Sequence, residues 1–113
     1  MHEFSIAINI VDLAIAEAGK ANANEIREIE IEIGKASAVV REALEFALES
    51  AVIGTVLKNA IIIIHETPAI AQCNTCKLTF EIEGNVGECP SCGDITANLI
   101  SGSELKVKSI TIN

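Results

Sequence analysis

The chain has no tryptophan and no tyrosine, and three phenylalanines make up its whole aromatic inventory. A core must therefore be built from Ile, Val, Leu and Ala, and a surface for stacking bases would have few rings to draw on. Positive charge is also scarce: eight Lys and Arg face sixteen Asp and Glu, a net charge of −8. A surface of that sign repels phosphate backbones and argues against a nucleic-acid partner. No apolar run approaches the roughly 18 residues needed to span a bilayer. Glu3 stands where a secretory leader would carry Lys or Arg. The expected location is cytoplasmic, where cysteines bind metal in preference to forming disulfides.

What remains is ample for one globular domain, or one domain with a small appendage, since half of the 113 residues are apolar. Phe4 to Glu17 repeats with helical period: Phe4, Ile8, Val11 and Ile15 share one side, and Ser5, Asn9 and Asp12 form a polar stripe. Gly19 and the polar run after it are expected to end this helix. Glu28, Glu30 and Glu32 then alternate with Ile29, Ile31 and Ile33, which predicts a half-buried strand with an acidic, solvated face. Ser37 is a candidate N-cap for a second helix whose apolar positions are Val40, Leu44, Ala47, Leu48 and Ala51.

Beyond Gly54 lies a connector of ambiguous type. The β-branched run Ala60 to Ile64 reads as a short buried strand closed by Pro68. Leu105 to Ile112 reads as the last strand, with Lys106 and Lys108 able to face the glutamates of the first. Its apolar parity slips between Val107 and Ile110, so a bulge or twist is expected near Ser109. The expected fold class is α+β, with two helices packed on a small three-stranded sheet that includes the C-terminal strand. A zinc-ribbon module is inserted into it.

That module rests on the cysteines. All four fall in two Cys-x-x-Cys pairs, Cys73/Cys76 and Cys89/Cys92, with 12 residues between the pairs. Each pair can turn tightly and aim two thiolates at one point, so two turns together supply the tetrahedral ligand set of a structural zinc. Iron fits the same thiolates, but zinc is the default in such a module. A redox role gains nothing from a second pair. Leu78, Phe80, Ile82, Val86 and Ile95 are too few to fold the segment by burial, whereas zinc supplies about 10 to 16 kcal/mol in small modules. Thr79 to Ile82 reads as a hairpin arm, and Gly84 and Gly87 as turn residues. Lys77 is the ribbon's only basic residue against Glu81, Glu83, Glu88 and Asp94, which is unlike a nucleic-acid grip.

The other concentration of donors is Met1-His2-Glu3. His2 is too large to favour removal of the initiator, so the terminal amine is expected on Met1. That amine, the His2 amide and His2 Nδ1 can close fused five- and six-membered chelate rings, a planar nitrogen set suited to Ni(II) or Cu(II). The fourth donor is open: the Glu3 amide, its carboxylate or a group elsewhere. A solvated terminal histidine is the plainer reading of the same residues. His65 reads as a strand-end residue, not a ligand. With no Ser or Cys activated by a base, no catalytic triad is expected.

Met1-His2-Glu3 leading into an amphipathic helix, the Ile31-Glu32-Ile33-Gly34 turn followed by Ser37, the two CxxC knuckles and the closing Gly102-Ser103-Glu104-Leu105 together resemble the HypA/HybF nickel metallochaperones over essentially the whole chain. Lys35 departs from the pattern, which more often carries an acidic residue there. The resemblance implies a non-enzymatic carrier that delivers Ni(II) for maturation of nickel-iron hydrogenase, with some relatives serving urease. It implies a HypB-type GTPase and the hydrogenase large subunit as partners. By the same resemblance His2 is the nickel ligand, the Met1 amine and the backbone at His2 and Glu3 complete that site, and Cys73, Cys76, Cys89 and Cys92 hold zinc. The expected partition is a nickel-binding α/β domain at 1–70 and 101–113 and a zinc ribbon at 71–100, as monomer or homodimer. The alternative is a zinc-ribbon interaction or nucleic-acid-binding module with no nickel role; titration with Ni(II) separates the two.

Overall fold

The computed structural model describes residues 3–82, 88–95 and 97–112. Its elements in chain order are α1 (Glu3–Lys20), β1 (Ile26–Gly34), α2 (Arg41–Ala51), β2 (Ile61–Thr67), β3 (Ala69–Cys73), β4 (Thr79–Ile82), β5 (Ala97–Ser101) and β6 (Leu105–Ile112). The strands form two three-stranded sheets, ordered β2-β1-β6 and β4-β3-β5. The chain divides into two compact units, one of residues 1–32, 39–65 and 106–113, the other of 33–38 and 66–105.

In the first unit the central strand follows its alternation. Ile26, Ile29 and Ile31 are buried, while Glu28, Glu30 and Glu32 are half-buried. Each buried isoleucine contributes about 1.5 to 3 kcal/mol of transfer free energy. β6 lies beside β1 as the charge pattern anticipates, and its burial changes parity between Val107 and Ile110. β2 is an edge strand, and this corrects the expectation of a buried one: only Ile64 is buried, while Ile61 is exposed. A run of β-branched residues marks a strand, but it cannot reveal that, among the described residues, one side has no strand beside it.

The helices pack against each other, and α1 ends at Lys20, within the stretch from Gly19 onward that is expected to stop it. Its buried face is Ala7, Ile10, Val11, Ala14 and Ala18, while Phe4, Ile8 and Ile15 are exposed. Val11 is buried as expected, but the rest of the buried face is turned toward Ile10 and three alanines, whose small side chains suit a close contact between packed elements. Leu44, Ala47 and Leu48 are buried from α2 as the periodicity predicts. Val40 is not a core residue: it is exposed and is itself the N-cap.

Ser37 does not cap α2 either. Its N–H donates to Gly34 O at 3.0 Å in a turn, and the Val40 N–H donates to Glu3 Oε2 of α1 at 3.2 Å. The connector after Gly54 resolves into turns: Thr55 Oγ1 donates to Val52 O at 2.7 Å and accepts from Leu57 N–H at 3.0 Å. The Ile26 N–H donates to Val56 O at 3.0 Å, which ties the turns to the start of β1.

In the second unit β3 is central and antiparallel to both neighbours, with Ala71 opposite Phe80 and Cys73 opposite Ala97. Ala69, Ala71 and Ile82 form a small buried cluster, with Ala36 and Phe80 packed against it. That is little burial for three strands, in keeping with a module that depends on metal. Gly84, Gly87 and Val86 lie outside the described residues.

Candidate metal centre

The two CxxC segments fold alike. In the first, the Cys73 N–H donates to Leu78 O at 2.9 Å and the Lys77 N–H donates to Cys73 O at 3.0 Å. In the second, the Cys89 N–H donates to Asp94 O at 2.9 Å and the Gly93 N–H donates to Cys89 O at 2.8 Å. Each turn closes on a left-handed residue, Lys77 with φ 66° and Gly93 with φ 77°. Glycine does this without strain, whereas Lys77 must be held there by the bonds around it. Thr75 Oγ1 donates to Asp94 Oδ2 and Asn98 Nδ2 donates to Asn74 Oδ1, so side chains link the first turn to the second and to β5.

The turns bring together all four sequence-predicted thiols, with their sulfurs lying within 4.8 Å of one another. Cys73 Sγ is 3.5 Å from Cys92 Sγ, and Cys76 Sγ is 3.5 Å from Cys89 Sγ. These distances rule out disulfides, whose S–S bond is about 2.0 Å. They come close to the roughly 3.8 Å edge of a tetrahedron with metal–sulfur bonds near 2.3 Å. Cys73 and Cys89 are buried; Cys76 and Cys92 face solvent.

Thiol acidity divides between the members of each pair. The Cys76 N–H holds Cys73 below its ordinary value, with help from the Thr75 N–H. The Cys92 N–H, then the Ser91 N–H, bring Cys89 down to about 7. For Cys92 the Asp94 N–H acts downward, but the Cys73 thiol, burial and the remaining sulfurs push it up to about 12. For Cys76 the Leu78 N–H likewise acts downward and is outweighed by Cys89, burial and Cys73. The backbone thus favours the first thiolates, and crowding opposes the rest until a cation lies among them. Donor type, number and spacing all fit zinc.

Of the proposed nickel ligands, Met1 and His2 lie outside the described residues. Glu3 opens α1, and the hydrogen bond from the Val40 N–H is the main reason its carboxyl lies below the ordinary value. His65 sits inside β2, not at its end, with Nε2 2.7 Å from Glu30 Oε1. Ser109 Oγ donates to the other oxygen of Glu30 at 2.8 Å. Glu30 is therefore more than a solvated face. The sequence signal was a histidine on one strand and a hydroxyl on another, both neighbours of the acidic strand β1.

The family profile described as "Hydrogenase/urease nickel incorporation, metallochaperone, hypA" matches residues 1–112. Among curated relatives, the hydrogenase maturation factor HypA of Parabacteroides distasonis is 42% identical over 112 residues, 99% of this chain and 97% of that relative. The HypA of Chlorobium phaeobacteroides is 38% identical, with 99% of each chain covered. Among solved structures, the nickel metallochaperone HypA of Helicobacter pylori superposes with a TM-score of 0.69 at 25% identity, covering 99% of this chain and 97% of the other. A second HypA solution structure gives 0.73 at 25% identity, covering 100% and 97%. With a profile match along its length, relatives above one-third identity and a thiol cluster suited to zinc, the chain belongs to the HypA family of hydrogenase and urease nickel-incorporation metallochaperones.

Proposed function

We propose that the chain binds Ni(II) at its N-terminus and passes it on for maturation of nickel-iron hydrogenase, or of urease. The observation that carries this reading is the family match over residues 1–112, which includes Met1-His2-Glu3 as well as both CxxC pairs. His2 supplies the imidazole and its amide, Met1 the terminal amine, and the Glu3 backbone the remaining donor. Such a set can be dismantled one ligand at a time, which suits a carrier that must release its cargo. Cys73, Cys76, Cys89 and Cys92 hold zinc as a structural ion, and no turnover chemistry is assigned to either metal.

The working partition is a nickel-binding domain of 1–70 and 101–113 and a ribbon of 71–100. A HypB-type GTPase and the hydrogenase large subunit are the proposed partners, and the cytoplasm the proposed compartment. Titrating the zinc-loaded chain with Ni(II) tests the central step. His2→Ala is expected to remove one equivalent of bound nickel and leave zinc content unchanged. Equal nickel affinity in the variant and the parent would refute the site.

A further inference from the structure

α2 buries Leu44, Ala47 and Leu48 and turns another stripe outward: Glu42, Glu45, Phe46 and Glu49. The spacing i, i+3, i+4, i+7 places these four side chains on one helix face. Phe46, one of only three aromatic residues in the chain, is 72% exposed at the centre of that stripe. The stripe forms one wall of a groove of about 520 Å³, and Ala60, just before β2, with Ile62 of β2 forms the other. Ile61 on the same strand is 63% exposed, and β2 is an edge strand.

An exposed phenylalanine in a groove is a feature of binding surfaces, where one aromatic anchor carries much of the affinity. The charge around it selects the occupant. Arg41 Nε lies 3.7 Å from Glu45, while Glu42 and Glu49 form no ion pair among the described residues. A second copy of the chain would bring the same glutamates and another net charge of −8 across a two-fold axis. Anionic lipid and nucleic acid are repelled for the same reason.

We propose that the groove between α2 and β2 docks a basic, amphipathic segment of a partner protein. An apolar side chain of that segment packs on Phe46 and Ile62, and its Lys or Arg residues meet Glu42, Glu45 and Glu49. The surface lies within one compact unit, and the proposal stands whether or not nickel binds at His2.

The test uses the zinc-loaded full chain and a synthetic amphipathic helix of leucine and lysine, followed by amide chemical shifts. Changes are expected in α2 and residues 60–62, with none from the matching peptide of leucine and glutamate. Phe46→Ser, at an exposed position that folding does not need, is expected to weaken binding about tenfold. The triple variant Glu42→Gln, Glu45→Gln, Glu49→Gln is expected to weaken it and flatten its salt dependence. Neutralising the exposed Glu25, Glu81 and Glu88 in the same way is expected to change it little. The proposal fails if Phe46→Ser binds like the parent, or if the control triple is as damaging as the groove triple. It also fails if the chain self-associates through this face and Phe46→Ser abolishes that association.

Discussion

Gly34 and Gly102 touch backbone to backbone: a Cβ on Gly34 would collide with the Gly102 carbonyl and would lie 2.7 Å from the Glu104 nitrogen. The two segments are drawn together by the Gly34 N–H donating to Glu104 O and the Ala36 N–H donating to Gly102 O, each at 2.7 Å. Gly102 has φ 107°, and its own Cβ would strike Ala69 Cα. Gly34→Ala and Gly102→Ala are each expected to destabilise the fold by about 1 to 3 kcal/mol, because the obstructing atoms are backbone and cannot swing aside. Gly19→Ala in α1, with nothing within 4 Å, is expected to be neutral or to stabilise by about 0.5 kcal/mol. Urea midpoints at neutral pH measure all three. A Gly34→Ala protein as stable as the parent would overturn the close-contact account.

Metal removal should act unequally on the chain. Ala69, Ala71 and Ile82 form the small buried apolar cluster of the second unit, whereas Ile26, Ile29, Ile31, Leu44, Leu48 and Leu57 of the first unit are buried. Chelation is expected to strip amide protection from residues 66–82 and leave β1 and α1 protected. One zinc per chain is expected by metal analysis of the parent, and any single Cys→Ser change is expected to lower the retained zinc. Hydrogen exchange before and after chelation checks this, and uniform loss of protection in both regions would count against it.

The parts legible in the sequence were those fixed by a short-range pattern. Ile and Glu alternating through β1, the boundaries of β6 and the two CxxC turns need only neighbouring residues to be read. The parts missed depend on what lies across a gap in sequence. Ser37 looked like a cap from its own position, yet the acceptor at the start of α2 comes from Glu3, 37 residues away from Val40. β3 and β5 escaped notice because Ala69–Cys73 is short and follows Pro68 directly, and Ala97–Ser101 has weak alternation. In α1 the apolar residues ran around much of the helix, so periodicity alone could not say that Ile10, Val11 and three alanines, not Phe4 and Ile8, face the core.

Glu3 offers a way to separate a structural role from a ligand role. Its carboxylate already accepts the Val40 N–H, so a nickel site completed by the Glu3 backbone leaves that bond intact. Glu3→Gln keeps an acceptor oxygen and is expected to retain both the parent's nickel stoichiometry and its thermal midpoint. Glu3→Ala is expected to lower the midpoint by removing the tie between α1 and α2. Loss of the nickel equivalent in Glu3→Gln would instead assign the carboxylate to the metal.

The interaction of Glu30 with His65 makes a signed prediction about pH. The hydrogen bond from His65 chiefly, then that from Ser109, with the charge of Lys108 as a smaller influence, hold the Glu30 carboxyl below its ordinary 4.5. A group with a depressed folded value adds stability that is complete above the unfolded value and disappears as pH falls through the folded one. The stability gap between the parent and Glu30→Gln is therefore expected to be present above about pH 4.5 and to shrink as pH falls below that value. Any acid-driven loss of metal is common to both proteins and cancels in the gap. Paired urea titrations across this range measure it, with His65→Ala added to complete a double-mutant cycle. A gap as large at about pH 3.5 as at neutrality would mean that Glu30 contributes through packing and not through its charge.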